Sequence, residues 1–88
     1  MDPLESREEF VRMLDQEHQW PTWYMFKFIA PRGKEQELVA LFPAGQASVK
    51  ASSKGKYRSV TSKLMMSSAE EVLDIYEKAR QIKGVLAL

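Results

Sequence analysis

No cysteine occurs in the 88-residue chain. Disulfides, thiolate catalysis and cysteine-based zinc or iron–sulfur sites are therefore excluded. Histidine is reduced to one residue, His18, so no histidine pair can ligate a metal and no Cys–His pair can act as nucleophile and base. No apolar run approaches the roughly 20 residues that cross a bilayer as a helix. The first nine residues, Met1 to Glu9, are charged and lack the apolar centre of a secretion signal. A soluble, cytoplasmic protein without membrane contact is the expectation. One further absence is local. Between Lys50 and Lys63 there is no carboxylate, while five cations fall there: Lys50, Lys54, Lys56, Arg58 and Lys63. The chain as a whole is formally only +1, so this excess is a matter of placement and not of general basicity.

The length leaves room for one core and no second domain. A chain of this size buries only about 60–65% of the surface it exposes when unfolded, so its core has to be efficient. The hydrophobic fraction of 44%, with two Trp, three Tyr and four Phe, suits a small globular fold.

Ser6-x-x-Glu9 has the form of a capping box, and Phe10, Met13 and Leu14 follow at helical spacing, which predicts a helix ending near His18. Residues 1–18 hold six acids and two bases, a balance of −4, so the remaining chain carries +5. Residues 1–19 are read as an acidic helical extension and residues 20–88 as the domain proper. Such a helix is expected either to be a solvated amphipathic appendage or, less favoured, to lie on the basic strands.

Trp20-Pro21-Thr22 breaks the chain, and Trp23 to Ala30 alternates as a strand. Tyr24, Phe26 and Phe28 take one face; Trp23, Met25, Lys27 and Ile29 take the other. Pro31 ends it. A short helix follows, with Leu38, Leu41 and Phe42 as its buried stripe, stopped by Pro43 and Gly45. Gln46 to Ala51 reads as a second strand, its Ala47, Val49 and Ala51 alternating with Ser48 and Lys50. Ser52-Ser53-Lys54-Gly55-Lys56 turns the chain, Gly55 supplying the positive φ. From Tyr57 to Met66, Val60, Ser62, Leu64 and Met66 face the core, while Tyr57, Ser59, Thr61 and Lys63 face away. The last helix is capped by Ser67 or Ser68, with Glu70, Glu71 and Asp74 early and Lys78, Arg80 and Lys83 late, as the helix dipole favours. Val72, Ile75, Tyr76, Ala79 and Ile82 make its apolar face, Gly84 stops it, and Val85 to Leu88 suffices for an edge strand. The order is a helix and then β-α-β-β-α-β. It predicts an α+β, ferredoxin-like sandwich, an α-β plait with a four-stranded antiparallel sheet and two helices on one face. The other sheet face is left uncovered.

Three parts of the sequence carry a resemblance: Trp20-Pro21-Thr22 before an aromatic strand containing Lys27, the run Ser52-Ser53-Lys54-Gly55-Lys56-Tyr57 continuing through Ser59-Val60-Thr61, and Tyr76 followed by a closing Val85 to Leu88. Over roughly residues 20–88 the chain resembles the bacterial YbeD-like family, a small domain-of-unknown-function group with a ferredoxin-like, ACT-like fold. The Ser-Ser-Lys-Gly-x-Tyr segment is the most specific part. The resemblance implies a regulatory or binding module and not an enzyme, and family members are associated with lipoate metabolism by genomic neighbourhood. Two departures stand out. The connection from Ala30 to Ser52 is shorter than the family's, so its helix has lost a turn or more, and the acidic N-terminal helix is an addition that could cover the apolar surface left behind.

Candidate functional residues gather on the open face and at the hairpin. Lys27, Lys50 and Lys63, beside Trp23, Met25, Tyr57 and the hydroxyls of Ser48, Ser59 and Thr61, could hold an anionic ligand. The competing reading, slightly favoured, is that Trp23, Met25 and Ile29 are covered by another subunit or by the N-terminal helix. Ser53, Lys54, Gly55, Lys56 and Arg58 at the tip could contact phosphate through cations, hydroxyls and amides. A solvated turn whose lysines protect an edge is the favoured alternative. Nucleic acid is a weaker expectation: counting from Lys54, the places where an RNA recognition motif carries stacking aromatics hold Lys56 and Arg58. Neither Gly33-Lys34 nor Gly55-Lys56 has the preceding glycine of a phosphate loop. No catalytic residue, metal or cofactor is expected. The leading expectation is a regulatory or interaction module that binds a small anion or a protein partner through the sheet face and the basic hairpin. Self-association through that face and weak, sequence-tolerant nucleic-acid binding stand behind it.

Overall fold

The computed structural model describes residues 6–51 and 54–88. Ser52 and Ser53, the first two residues of the predicted turn, lie outside the described residues. The elements follow in the order α1 (Arg7–Glu17), β1 (Thr22–Pro31), α2 (Glu35–Val39), β2 (Ala47–Ala51), β3 (Tyr57–Met66), α3 (Ala69–Arg80) and β4 (Leu86–Ala87). The strands form one sheet in the order β2-β3-β1-β4 with every neighbouring pair antiparallel. This is the predicted α+β arrangement: a four-stranded sheet, open on one side, with helices on the other.

The ten-residue strands β1 and β3 form the spine, paired in register from Thr22↔Met66 to Pro31↔Tyr57. Their alternation puts Phe26, Phe28, Ala30, Val60 and Ser62 against the helices, all nearly without exposure. Leu38 and Phe42 cover them from α2 and the turn after it, and Val72, Ala79 and Ile82 from α3 and its end. Aromatic rings fill the middle: Tyr76 lies 5.7 Å from Phe26 and 5.6 Å from Phe28, ring centre to ring centre. Tyr24 and Tyr76 share a hydrogen bond of 3.0 Å between their hydroxyls, which resolves the polar ends of two half-buried rings. Burial, followed by the Tyr24 contact, pushes the Tyr76 phenol well above its ordinary range. Ser62, the one buried polar side chain of the described core, donates from Oγ to the Gln46 carbonyl at 2.8 Å.

Ser68, not Ser67, is the N-cap of α3. Its Oγ accepts from the Glu71 amide, while the Glu71 carboxylate accepts from the Ser67 amide at 2.9 Å. At α1 the expected box does not close: Ser6 holds the N-cap position without a side-chain capping bond. Gly84 ends the α3 region at φ +82°, and a Cβ placed there would stand 2.6 Å from Pro31 Cγ. Only glycine fits that crossing without displacement.

The position of α1 corrects the expectations for it: with Leu14 buried in the core and Phe10 and Val11 packed against it, it is no solvated appendage. It neither lies on the basic strands nor covers the open face; it packs beside α3 on the helix-bearing side. Arg7 bonds the Glu77 carboxylate and reaches Asp74 at 3.0 Å. Phe10 meets the Tyr76 ring edge-on at 6.2 Å, and Leu14 is buried in the common core. The physical reason is its narrow apolar stripe. Phe10, Val11 and Leu14 find a ready apolar partner beside Tyr76, and the one basic residue of the first turn finds two acids on α3.

Candidate functional site

The open face is built by strand alternation alone. On β1 it carries Trp23, Met25, Lys27 and Ile29, and on β3 Tyr57, Ser59, Thr61, Lys63 and Met65. Register then fixes the neighbours. Trp23 lies opposite Met65, Met25 opposite Lys63, Lys27 opposite Thr61 and Ile29 opposite Ser59. On the outer strands, Ser48 is paired with Thr61, Lys50 with Ser59, and Leu86 with Ile29. Leu88 donates its amide to the Lys27 carbonyl at 2.9 Å and so extends the β4 side by one position.

These pairings divide the face lengthwise. Along β1 and β4 runs an apolar stripe of Trp23, Met25, Ile29, Leu86 and Leu88, interrupted by Lys27. Along β3 and β2 runs a polar stripe of Lys63, Thr61, Ser59, Ser48 and Lys50, bounded by Met65 and Tyr57. Trp23 is 57% exposed, Met25 58%, Met65 50% and Leu86 64%, values that a helix or loop of this chain would have lowered had it covered them. No strand position on this face carries Asp or Glu. The ammonium groups therefore stand beside apolar surface and hydroxyl donors, without an acid partner on the strands.

The sequence-derived candidates separate into three places. Lys27, Lys50, Ser59 and Lys63 share the open face, with Tyr57 at its far end opposite Pro31. Lys54, Gly55 and Lys56 form the turn beyond it, Gly55 at φ +73°. Lys54 and Lys56 are exposed. Arg58 lies on the other side of the sheet. Its Nη1 donates to the carbonyls of Gly55 at 3.1 Å and Tyr57 at 3.2 Å, and its Nε is 3.6 Å from Glu35 of α2. The guanidinium thus ties the hairpin base to the covering helix. Glu35 in turn accepts from the Gly33 amide at 2.6 Å. Hydrogen bonding to its own amide is the largest influence holding the Glu35 carboxyl below the ordinary glutamate range; desolvation opposes it, and Gly33, Arg58 and Arg32 add to it. Ser53 lies outside the described residues.

Met65, Leu86 and Leu88 complete the face and escaped sequence reasoning. Strict alternation onward from Lys63 would have found Met65. It sits inside the run Leu64-Met65-Met66, where a uniformly apolar stretch hides parity. Tyr57 has Ser59 and Pro31 as its nearest face neighbours, and Trp23 has Met65 at the opposite end of the strands, so no adjacent aromatic pair forms a platform. Among the described residues, no group of three His, Asp or Glu side chains stands close enough to hold a metal ion. Among the described residues, no helix is long and apolar enough to cross a membrane.

The fold and the open amphipathic face define a small α+β sheet domain of ferredoxin-like architecture. A profile of the family described as Protein of unknown function (DUF493) matches residues 15–88. The chain belongs to that family, the YbeD-like group. No curated protein and no solved structure matches it.

Proposed function

We propose that the domain is a non-catalytic regulatory or interaction module of the ACT-like kind, engaging an anionic partner through the open sheet face. One observation carries the reading: three lysines and three hydroxyl side chains share a face with exposed Trp23, Met25 and Leu86, and no strand acid neutralises them. Apolar exposure of that extent on a small domain marks an interaction surface. The one-signed charge beside it selects acidic partners and accelerates their encounter. Lys54 and Lys56 extend the positive field past the end of the face and steer, while the face itself holds. Arg58 serves the fold. A protein partner suits the apolar stripe better than a small anion, because methionine and leucine side chains add affinity only against apolar surface. Weak nucleic-acid binding through the same lysines is the second reading, supported by the exposure of Trp23 and Tyr57 beside them.

Amide NMR at physiological salt tests this. Poly-L-glutamate should shift the amides of Lys27, Ser59 and Lys63 saturably. Loss of all shifts, or their confinement to residues 54–56, would overturn the reading. A mixed-sequence single strand that binds more tightly than polyglutamate would replace it with the nucleic-acid one. Four or five phosphate contacts would then give a log–log salt slope of about −3 to −4.5.

A further inference from the structure

Resting on that reading, we propose that the occupant of the open face is an amphipathic helix of a partner protein, whose acidic residues line one flank of its apolar stripe. The lengthwise division of the face is what points to this shape. A small anion or an extended chain has no use for an apolar stripe and a cationic stripe running side by side. A helix presents the complement, with leucine-like residues toward β1 and β4 and carboxylates leaning over β3 and β2.

The dimensions agree. Trp23 and Ile29 are six positions apart on β1, which is about 20 Å of strand. A helix needs about 13 residues to run that length. Strands lie about 4.8 Å apart and a helix with its side chains is about 10 Å across, so one helix spans two strands of the four. Seated on β1 and β4, it covers Trp23, Met25, Ile29, Leu86 and Leu88 and brings one flank against β3 and Lys63, while Lys50, one strand further out on β2, meets that flank only along its extended stem. Lys27 lies under it, where its stem packs against apolar side chains and its ammonium group emerges at the edge. Ser48, Ser59 and Thr61 supply hydroxyl donors to the same carboxylates. Met25 and Met65 adapt to whichever leucine or isoleucine arrives. A nucleic-acid strand would leave the β4 side, Leu86 and Leu88, without a partner.

The probe is a stapled helical peptide of about 14 residues, with leucines on one stripe and glutamates along one flank. Its binding is followed by fluorescence anisotropy and amide shifts on the full chain at physiological salt. Three comparison peptides share its composition or length. In one the order is scrambled, in one the glutamates move to the side opposite the leucines, and in one lysines replace them. Saturable binding of the first alone, with shifts along β1, β3 and β4, supports the proposal. K63E and M25E, both at exposed positions, should each weaken it by about tenfold, with amide spectra confirming the fold. Equal binding of the scrambled peptide, or of the peptide with displaced glutamates, overturns the helix and leaves the open-face reading standing if polyglutamate still shifts the face. Tighter binding of a single-stranded oligonucleotide to the same residues also overturns it. Silence from every peptide and from polyglutamate removes both.

Discussion

Replacing Gly84 with alanine tests the tightest crossing in the molecule, where the turn after α3 passes the end of β1. Two effects add. Gly84 has φ +82°, where an L side chain is disfavoured by roughly 1–2 kcal/mol. The unfolded chain becomes stiffer at the same time, which offsets about 0.4–1 kcal/mol of this. The new Cβ would also stand 2.6 Å from Pro31 Cγ and 3.3 Å from Pro31 Cδ. A proline ring cannot rotate away, so β1 or β4 has to move, and such overpacking costs about 1–3 kcal/mol. The expected loss is about 1–4.5 kcal/mol, a large share of what a domain of this size possesses. Gly45 is the internal control. It has φ +78° with nothing within 4 Å of its Cβ direction, so Gly45→Ala carries the conformational part alone, about 1 kcal/mol or less. Urea denaturation of both variants separates the two contributions. If β4 lifts off instead, the Leu88 amide, bonded to the Lys27 carbonyl at 2.9 Å, loses its hydrogen-exchange protection. Equal stability losses in the two variants with Leu88 still protected would refute the reasoning.

Two other expectations follow from the helix-bearing side. Leu14→Ala, which empties a buried site between α1 and the core, should lower stability by about 2–4 kcal/mol in urea; a loss near zero would show that α1 lies loosely on α3. Tyr76 has its phenol pKa raised chiefly by burial. Its neutral form therefore stabilises the fold fully below the ordinary phenol value, and that contribution is lost as pH rises from there toward the raised folded value. Tyr76→Phe should cost about 1 kcal/mol at neutral pH through the hydroxyl bond to Tyr24, and should flatten the alkaline decline. Parallel declines in the two proteins would contradict this.

Strand positions and facing were largely legible because period-2 alternation is a local signal, and Phe26, Phe28, Val60 and Ser62 all lie where it places them. A serine cap at 67 or 68 and the stop at Gly84 were legible because helix-end signals are local too, and the structure chooses Ser68. Where an apolar stripe goes was not. The periodicity of Phe10, Met13 and Leu14 announces a face without naming what covers it; Met13 is 44% exposed and Val11 packs on the core in its place, and the docking of Phe10 depends on Tyr76, 66 positions away. Val49 shows a related limit. Its parity is that of the core, yet it is 41% exposed, on an edge strand that α2, only five residues long, covers in part. Arg58 was grouped with the hairpin cations by proximity in sequence. Alternation turns it to the helix side, where Glu35 meets it. The candidate site was visible as a set of lysines, but its division into two stripes was not. That division depends on β4, whose two residues are too few to show a period.

The lysines of the open face also decide what stays away. Two copies apposed through this surface would bring three ammonium groups from each into one shrinking, poorly hydrated space, with no strand acid between them. Like charges so placed repel by several kcal/mol. An apolar sheet face of this kind would otherwise be a natural seam for aggregation during synthesis and at high concentration. Lys27, Lys50 and Lys63 set a like-charge cost on any pairing of two such faces that brings them together.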